Sequence, residues 1–218
     1  MRKPIRLSLE ELAPCTANVP EPPETFDWPA LFGNSNPVEM EIGFGKGWFL
    51  LNATQVNPHI NYFGIEIIRK YQLYTATRLV KRKLANVKVC CADAKLVVSK
   101  AIVLGSLKAV NIFFPDPWWK KRHHKRRLFD ADFVQSIPPV LMPGGWINIA
   151  TDVEEYFQEI TALFAEKLPS LVGEPWGEDS PDSLVDGHLT NFERKFVAQG
   201  KPIHHVRYRK PLKMLGLE

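Results

Sequence analysis

Val38-Glu-Met-Glu-Ile-Gly-Phe-Gly-Lys-Gly47 is the stretch on which the fold turns. Val38 to Ile42 reads as a strand, the glycines as a turn, and Gly47 to Val56 as a helix opening directly from that turn. A strand that breaks into glycines and feeds a helix is the first unit of a parallel α/β sheet.

The same alternation continues outward. Asn61 to Ile67 is a second strand. The helix from Ile68 to Leu84 places Leu73, Thr77, Val80 and Leu84 on one face, with Arg and Lys opposite. Val87 to Cys91 is a third strand, Asp93 to Val103 a helix, and Lys108 to Phe114 a fourth strand with a β-branched and aromatic core. Phe129 to Leu141 fits a helix interrupted by Pro138-Pro139, and Pro143-Gly144-Gly145 marks a turn before a fifth strand from Trp146 to Ala150. Thr151 or Asp152 caps the following helix, which runs to about Leu168 with Glu154 and Glu155 against its positive end. Past Pro169 an acidic loop near Glu178 to Asp182 leads to a short helix around Asn191 to Ala198 and a final strand from Ile203 to Arg209. Residues 1–36 are proline-rich and read as an extended arm over the surface, while residues 37–218 read as one doubly wound α/β domain.

Composition sets the bounds. With 218 residues, 45% of them apolar, the chain buries a sizeable core. The net charge is only +4, so six Lys or Arg and two His between Lys120 and Arg127 form a local patch suited to a nucleic-acid or phosphate partner. No apolar run approaches the ~20 residues of a membrane span, and the start lacks a signal-peptide hydrophobic region. Three cysteines, with Cys90 and Cys91 adjacent, argue for reduced thiols in a cytoplasmic protein. The adjacent pairs His123-His124 and His204-His205 lack zinc-site spacing. Monomer and homodimer both stay open.

The glycines Gly43, Gly45 and Gly47 let a ligand approach the backbone, but their G-x-G-x-G spacing is not the G-x-G-x-x-G of dinucleotide sites. Glu66, 19 residues after Gly47, stands where an acid takes ribose hydroxyls, and Asp93 ends the third strand where it borders a purine ring. Singly, Glu66 is a solvated strand end and Asp93 a helix cap. Together with Glu41 they make three acids at three successive strand ends. A carboxylate buried beneath the ligand, as Glu41 would be, demands a cation or strong donors. The amino group and sulfonium of S-adenosylmethionine meet that demand, whereas a pyrophosphate would be repelled, which weighs against NAD.

Glu41-Ile-Gly-Phe-Gly-Lys-Gly47, Gly64-Ile-Glu66, Phe113-Phe-Pro-Asp-Pro-Trp118 with its basic tail, Ala150-Thr-Asp152 and Thr190-Asn-Phe-Glu193 resemble the bacterial tRNA (guanine-N7)-methyltransferase family. The resemblance runs from about Val38 to Arg209. It implies a class I Rossmann-like methyltransferase fold, a seven-stranded mostly parallel sheet with helices on both faces. It also implies S-adenosylmethionine as methyl donor and a variable-loop guanine of tRNA as acceptor. By motif position, Glu41, Glu66, Asp93 and Asp116 would be the cofactor-site acids, Asp116 also being the active-site residue. Lys120, Asp152, Thr190, Asn191, Phe192 and Glu193 would meet the tRNA. Two positions depart from the family pattern: Trp119, where proline or histidine is usual, and Asn191, where lysine is usual.

Guanine N7 carries a lone pair and no proton, so its attack on a methyl group requires no general base. Positive charge develops on the purine instead, and Asp116 is assigned to recognising the guanine edge and stabilising that charge. Pro115 and Pro117 stiffen its loop, and Trp118 or Trp119 offers a stacking face for an extruded base. With no acid inside the run to neutralise them, Lys121, Arg122, Lys125, Arg126 and Arg127 are expected to contact tRNA phosphates. The rivals are an amino methyltransferase, on the likeness of Pro115-Asp-Pro-Trp118 to Asp-Pro-Pro-Trp loops, and a non-catalytic RNA-binding module. The displaced second proline weakens the first, and the intact glycines and acids weigh against the second.

Overall fold

A computed structural model describes residues 7–22, 24–175 and 198–212, Lys121 by its backbone alone. Strands β1 (Val38–Ile42), β2 (Asn61–Glu66), β3 (Val87–Cys91), β4 (Leu107–Phe113), β5 (Leu141–Thr151), β6 (Gly173–Glu174) and β7 (His204–Arg209) form one sheet in the order β3-β2-β1-β4-β5-β7-β6. The first five are parallel, and β7 enters antiparallel between β5 and β6. Strand order reverses between β1 and β4, so a crevice forms where their carboxyl ends diverge, the usual ligand position in such sheets.

Helices α3 (Trp48–Val56) and α4 (Arg69–Lys81) cover one face; α5 (Ala94–Lys100), α6 (Ala131–Val140) and α7 (Glu154–Lys167) cover the other. Phe49, Leu50, Ala76 and Leu79 pack on the first side, and Val97, Phe133, Ile137, Ile160 and Phe164 on the second. Every residue of β1 and β2 is buried. Fully buried side chains such as Phe63 and Met40 contribute about 1.5–3 kcal/mol each by leaving water.

Several elements depart from expectation. The amino-terminal segment, read as an extended arm, carries two short helices, α1 (Leu9–Leu12) and α2 (Trp28–Phe32), and wraps the sheet edge. Leu12 and Cys15 join one core cluster and Phe26 and Trp28 the other, while Thr16 bridges Val89 and covers the exposed side of β3. Helices of four and five residues leave no periodicity to read. α4 buries Gln72, Thr75, Ala76 and Leu79, whereas the expected stripe of Leu73, Val80 and Leu84 packs at the margin. Pro138 and Pro139 do not interrupt α6; they sit in its last turns.

The expected turn at Pro143-Gly144-Gly145 lies inside β5. Pairing shifts from Leu107 with Leu141 to Ala109 with Trp146, so the intervening residues bulge. A side chain at Gly145 would put its Cβ 2.9 Å from the Met142 carbonyl oxygen, which requires glycine there. Neither Thr151 nor Asp152 is the cap residue of α7; Val153 is, with no side-chain cap bond, and Thr151 Oγ1 accepts from the Val153 N–H at 3.2 Å. The two residues of β6 gave no strand pattern, and their pairing to β7 alone defines them. The expected helix from Asn191 to Ala198 falls, but for Ala198, outside the described residues.

Candidate active site

β1 ends in a glycine turn in which Gly43, Gly45 and Gly47 have φ of 76°, 50° and 66°. Gly47 is doubly constrained: its φ is left-handed, and an added Cβ would lie 2.2 Å from Thr75 Cγ2. Surrounding elements hold the turn. Glu66 Oε2 accepts from the Gly45 N–H at 2.9 Å and Glu66 Oε1 from the Ile68 N–H at 2.9 Å. From α4, Thr75 Oγ1 donates to the Gly45 carbonyl at 3.1 Å and Arg78 Nη1 to the Lys46 carbonyl at 2.6 Å. Glu66 therefore shapes the turn as well as marking the end of β2.

Glu41 lies beneath the turn, 3% exposed. Burial pushes its carboxyl well above its ordinary value, the nearby Glu66 charge adds to this, and a backbone hydrogen bond from Leu50 opposes both. Its Oε2 is buried with no hydrogen-bond partner among the described residues. Glu41, Asn111 and Asn148 stand in register on β1, β4 and β5, so their side chains share one face. Asn148 Nδ2 donates to Asn111 Oδ1 at 2.8 Å, which leaves Asn111 Nδ2 buried and likewise unpartnered. An orphaned buried acceptor under an open glycine turn fits a cationic ligand group. Asp93 is exposed and accepts from the Lys95 N–H at 2.9 Å as the cap of α5. That geometry is the structural use considered for it, and it still leaves the carboxylate at the carboxyl end of β3.

The second half of the site follows β4, whose Ile112 pairs with Ile42 of β1, so the glycine turn and the Asp116 loop leave neighbouring strand ends. Asp116, Pro117, Trp118, Trp119, Lys120 and His123 line a cavity of ≈ 320 Å³. The loop is strained on both sides of the acid. Phe114 has φ 51° and Trp118 φ 46°, left-handed values that cost bulky residues about 1–3 kcal/mol each. Such strain persists where surrounding contacts over-determine it. Phe114 N–H donates to the Ala150 carbonyl at 2.7 Å, and Arg127 Nε donates to the Pro117 carbonyl at 2.7 Å.

Arg127 corrects the reading of the basic run. Its side chain is 14% exposed, paired with Glu159 of α7 and stacked 4.8 Å from the centre of the Tyr156 ring. Its Nη2 also lies 3.2 Å from His124 Nε2. Glu159 is the neutralising acid that the run itself lacks, and no sequence signal joined positions 32 apart. The Tyr156 phenol is pushed up to about 12, by burial first, with the Asp116 charge among the lesser contributions. Arg126 stacks on Trp118 at 5.1 Å, and His123 meets the same ring edge-on at 5.8 Å. Lys120, Arg122, Lys125 and Arg126 are exposed. Trp118 is thus engaged within the protein, while Trp119 is 68% exposed. Asp152 lies half-buried just past the end of β5. Thr190, Asn191, Phe192 and Glu193 lie outside the described residues, as does the Lys121 side chain.

The arrangement is a cation-seeking carboxylate under a glycine turn, beside an exposed carboxylate on a rigid loop with cations behind it. Known proteins agree with it. A family model described as "Putative methyltransferase" matches residues 35–206. Among solved structures, the precorrin-6y C5,15-methyltransferase of Geobacter metallireducens superposes with a TM-score of 0.55 at 14% identity, over 81% of each chain, a likeness of fold. The chain is 43% identical to the tRNA (guanine-N(7)-)-methyltransferase of Rhodopirellula baltica, over 86% of this chain and 71% of that one. It is 38% identical to the enzyme of the same name from Geobacter metallireducens, over 93% and 95%. With the Asp116 loop and the glycine turn on neighbouring strand ends, this degree of identity over most of each chain places the protein: it belongs to the tRNA (guanine-N7)-methyltransferase family.

Proposed function

We propose that the chain transfers the methyl group of S-adenosylmethionine to N7 of a variable-loop guanine in tRNA. The observation that carries this reading is the placement of Asp116 and the glycine turn on adjacent strand ends at the switch point, with Glu41 beneath and its Oε2 unpartnered among the described residues. When bound, S-adenosylmethionine supplies an electrophilic methyl group. Glu41 is suited to its ammonium, because a cation there would donate to the orphaned oxygen and offset the burial that otherwise favours the protonated acid. Glu66 serves the ribose hydroxyls while keeping Gly45 in place, and Asp93 borders the purine. Gly43, Gly45 and Gly47 keep side chains out of that approach.

Asp116 positions guanine through its N1–H and amino edge and stabilises the positive charge that N7 alkylation places on the ring. No residue need take a proton from N7, so its value lies in fixed charge and alignment. Trp119 offers the open aromatic face for the extruded base. Lys120 and Asp152, with Thr190, Asn191, Phe192 and Glu193, contact the nucleotide. Lys121, Arg122 and Lys125 meet backbone phosphates, whereas Arg126 and Arg127 act first on the loop they hold. We place catalysis in residues 37–218, braced by residues 1–36, in the cytoplasm, where the free thiols of Cys15, Cys90 and Cys91 remain reduced. Among the described residues no helix is long and apolar enough to cross a membrane.

Incubating unmodified tRNA with the protein and S-adenosylmethionine, then digesting it to nucleosides, tests the reaction. 7-Methylguanosine is the expected product. An amine-methylated base, or no transfer, would overturn the assignment.

A further inference from the structure

α4 carries a second cationic surface that the site does not use. Between Arg69 and Lys83 the chain holds six Lys or Arg and not one acid. Lys70, Tyr74, Arg78 and Arg82 fall at successive i, i+4 positions, about 6 Å apart along the axis, with Lys81 beside them. Lys70, Lys81 and Arg82 are exposed, and the Tyr74 ring is 44% exposed beneath the Arg78 guanidinium at 5.6 Å. Among the described residues no carboxylate pairs with any of these cations.

Helix stability does not account for the stripe. Cations at a carboxyl terminus suit the helix dipole, which covers Arg78 and Lys81 in the last turn. Arg69 and Lys70 stand at the amino terminus, where the dipole disfavours them, with no acid in the first turn and no side-chain cap. Arg78 and Arg82 are like charges four apart, a destabilising pair. The inner face of the same helix is ordinary core, and Thr75 and Arg78 brace the glycine turn. The outer stripe therefore carries an unfavourable charge pattern that an external polyanion would relieve. Insertion into a lipid surface requires apolar side chains along the exposed face; exposed Ile67 and Ile68 precede the helix, but the stripe itself offers only Tyr74, a residue suited to stacking between phosphate contacts.

Its position matches the substrate. α4 begins after β2 and the basic run after β4, and these strands flank β1 on opposite sides. We propose that Lys70, Tyr74, Lys81 and Arg82 form a second RNA-backbone surface, gripping the tRNA body on the side of β1 opposite Lys120–Arg127. This rests on the tRNA reading given above.

The test uses the full chain, unmodified tRNA and fluorescence anisotropy between roughly 50 and 200 mM salt. The combined variant Lys70→Gln, Lys81→Gln, Arg82→Gln is expected to lower the slope of log affinity against log salt by about 2–3 and to weaken binding at least tenfold. Its affinity for S-adenosylmethionine, measured by calorimetry, is expected to match the parent and reports an intact fold. A charge-conserving variant, Lys70→Arg, Lys81→Arg, Arg82→Lys, is expected to retain the slope. An unchanged slope in the neutral variant, or an equal loss in the charge-conserving one, overturns the proposal. So does binding to phosphatidylserine vesicles that the neutral variant loses while its tRNA slope is kept. If the parent protein itself shows no salt-dependent tRNA binding, the substrate reading falls and the stripe with it; a parent slope that survives neutralisation removes the stripe alone.

Discussion

The two basic regions of this protein look alike in composition and differ in what their charges do. In Lys120–Arg127 the last two cations engage the protein itself: Arg126, still exposed, lies over Trp118, and Arg127 turns inward onto Pro117, Tyr156 and Glu159. On α4 the cations of the outer stripe stay in solvent, and Arg78 alone reaches inward, to the Lys46 carbonyl. On the reading proposed above, the first region serves the reaction and keeps some charge for binding, and the second is a binding surface laid over a core helix. A count of Lys and Arg cannot separate them, because what divides the two roles is the presence of a carboxylate and an aromatic ring on another element.

Variants of the first region should therefore fail in turnover and those of the second in affinity. The largest effect belongs to Asp116→Ala. Turnover should fall by about 10³ or more as the charge stabilising the alkylated ring is lost, with calorimetric affinity for S-adenosylmethionine nearly unchanged. Near-normal turnover would remove Asp116 from the mechanism. Next comes Arg127→Ala, which releases the Pro117 carbonyl and leaves Glu159 unpaired. A misplaced loop of this kind should cost about 10² in kcat, with the salt slope of tRNA binding almost untouched. If that variant instead keeps its kcat and loses about one unit of slope, Arg127 is a phosphate contact like its neighbours.

Lys120→Ala with Arg122→Ala should act in the opposite sense, lowering the salt slope by about 2 while sparing cofactor affinity. An unchanged slope would take both residues out of the phosphate surface.

The smallest effect concerns Glu41, buried beneath the glycine turn between the two regions' strands. Glu41 has a folded-state pKa raised above its ordinary 4.5, so the folded chain holds a proton that the unfolded chain releases. Its contribution is complete below 4.5 and is lost as pH rises through the raised value. Without cofactor, stability relative to Glu41→Gln should decline over that range by at most about 1.4 kcal/mol per pH unit. Parallel curves of stability against pH for the two proteins would show that Glu41 is already ionised without cofactor.

How far each part was legible depended on the range of the interaction involved. The strand–glycine–helix unit at Val38–Val56 and the acids Glu41 and Glu66 were readable, because apolar runs, glycines and acids at strand ends are local patterns. α4 was found with nearly its true bounds, yet its buried face was misjudged. Gln72 and Thr75 pack inward against β3 and the glycine turn, and residue type alone ranks them as polar. The bulge in β5 read as a turn because proline and glycines mark both, and the partner strand decides which one forms. Strand β6 exists through its pairing with β7 alone.

From its amino acids alone, then, this protein reads as a mostly parallel α/β methyltransferase with acids at successive strand ends and a dense cationic run, since periodicity, glycine turns and charge density are properties of neighbouring residues. The tertiary structure decided which cations face solvent. It paired Arg127 with Glu159, left Glu41 Oε2 and Asn111 Nδ2 without a partner among the described residues of adjacent strands, and strained Phe114 and Trp118 around Asp116. Each of these depends on groups far apart in the chain meeting where water is excluded, and there a single missing or added partner sets the energy of a charge.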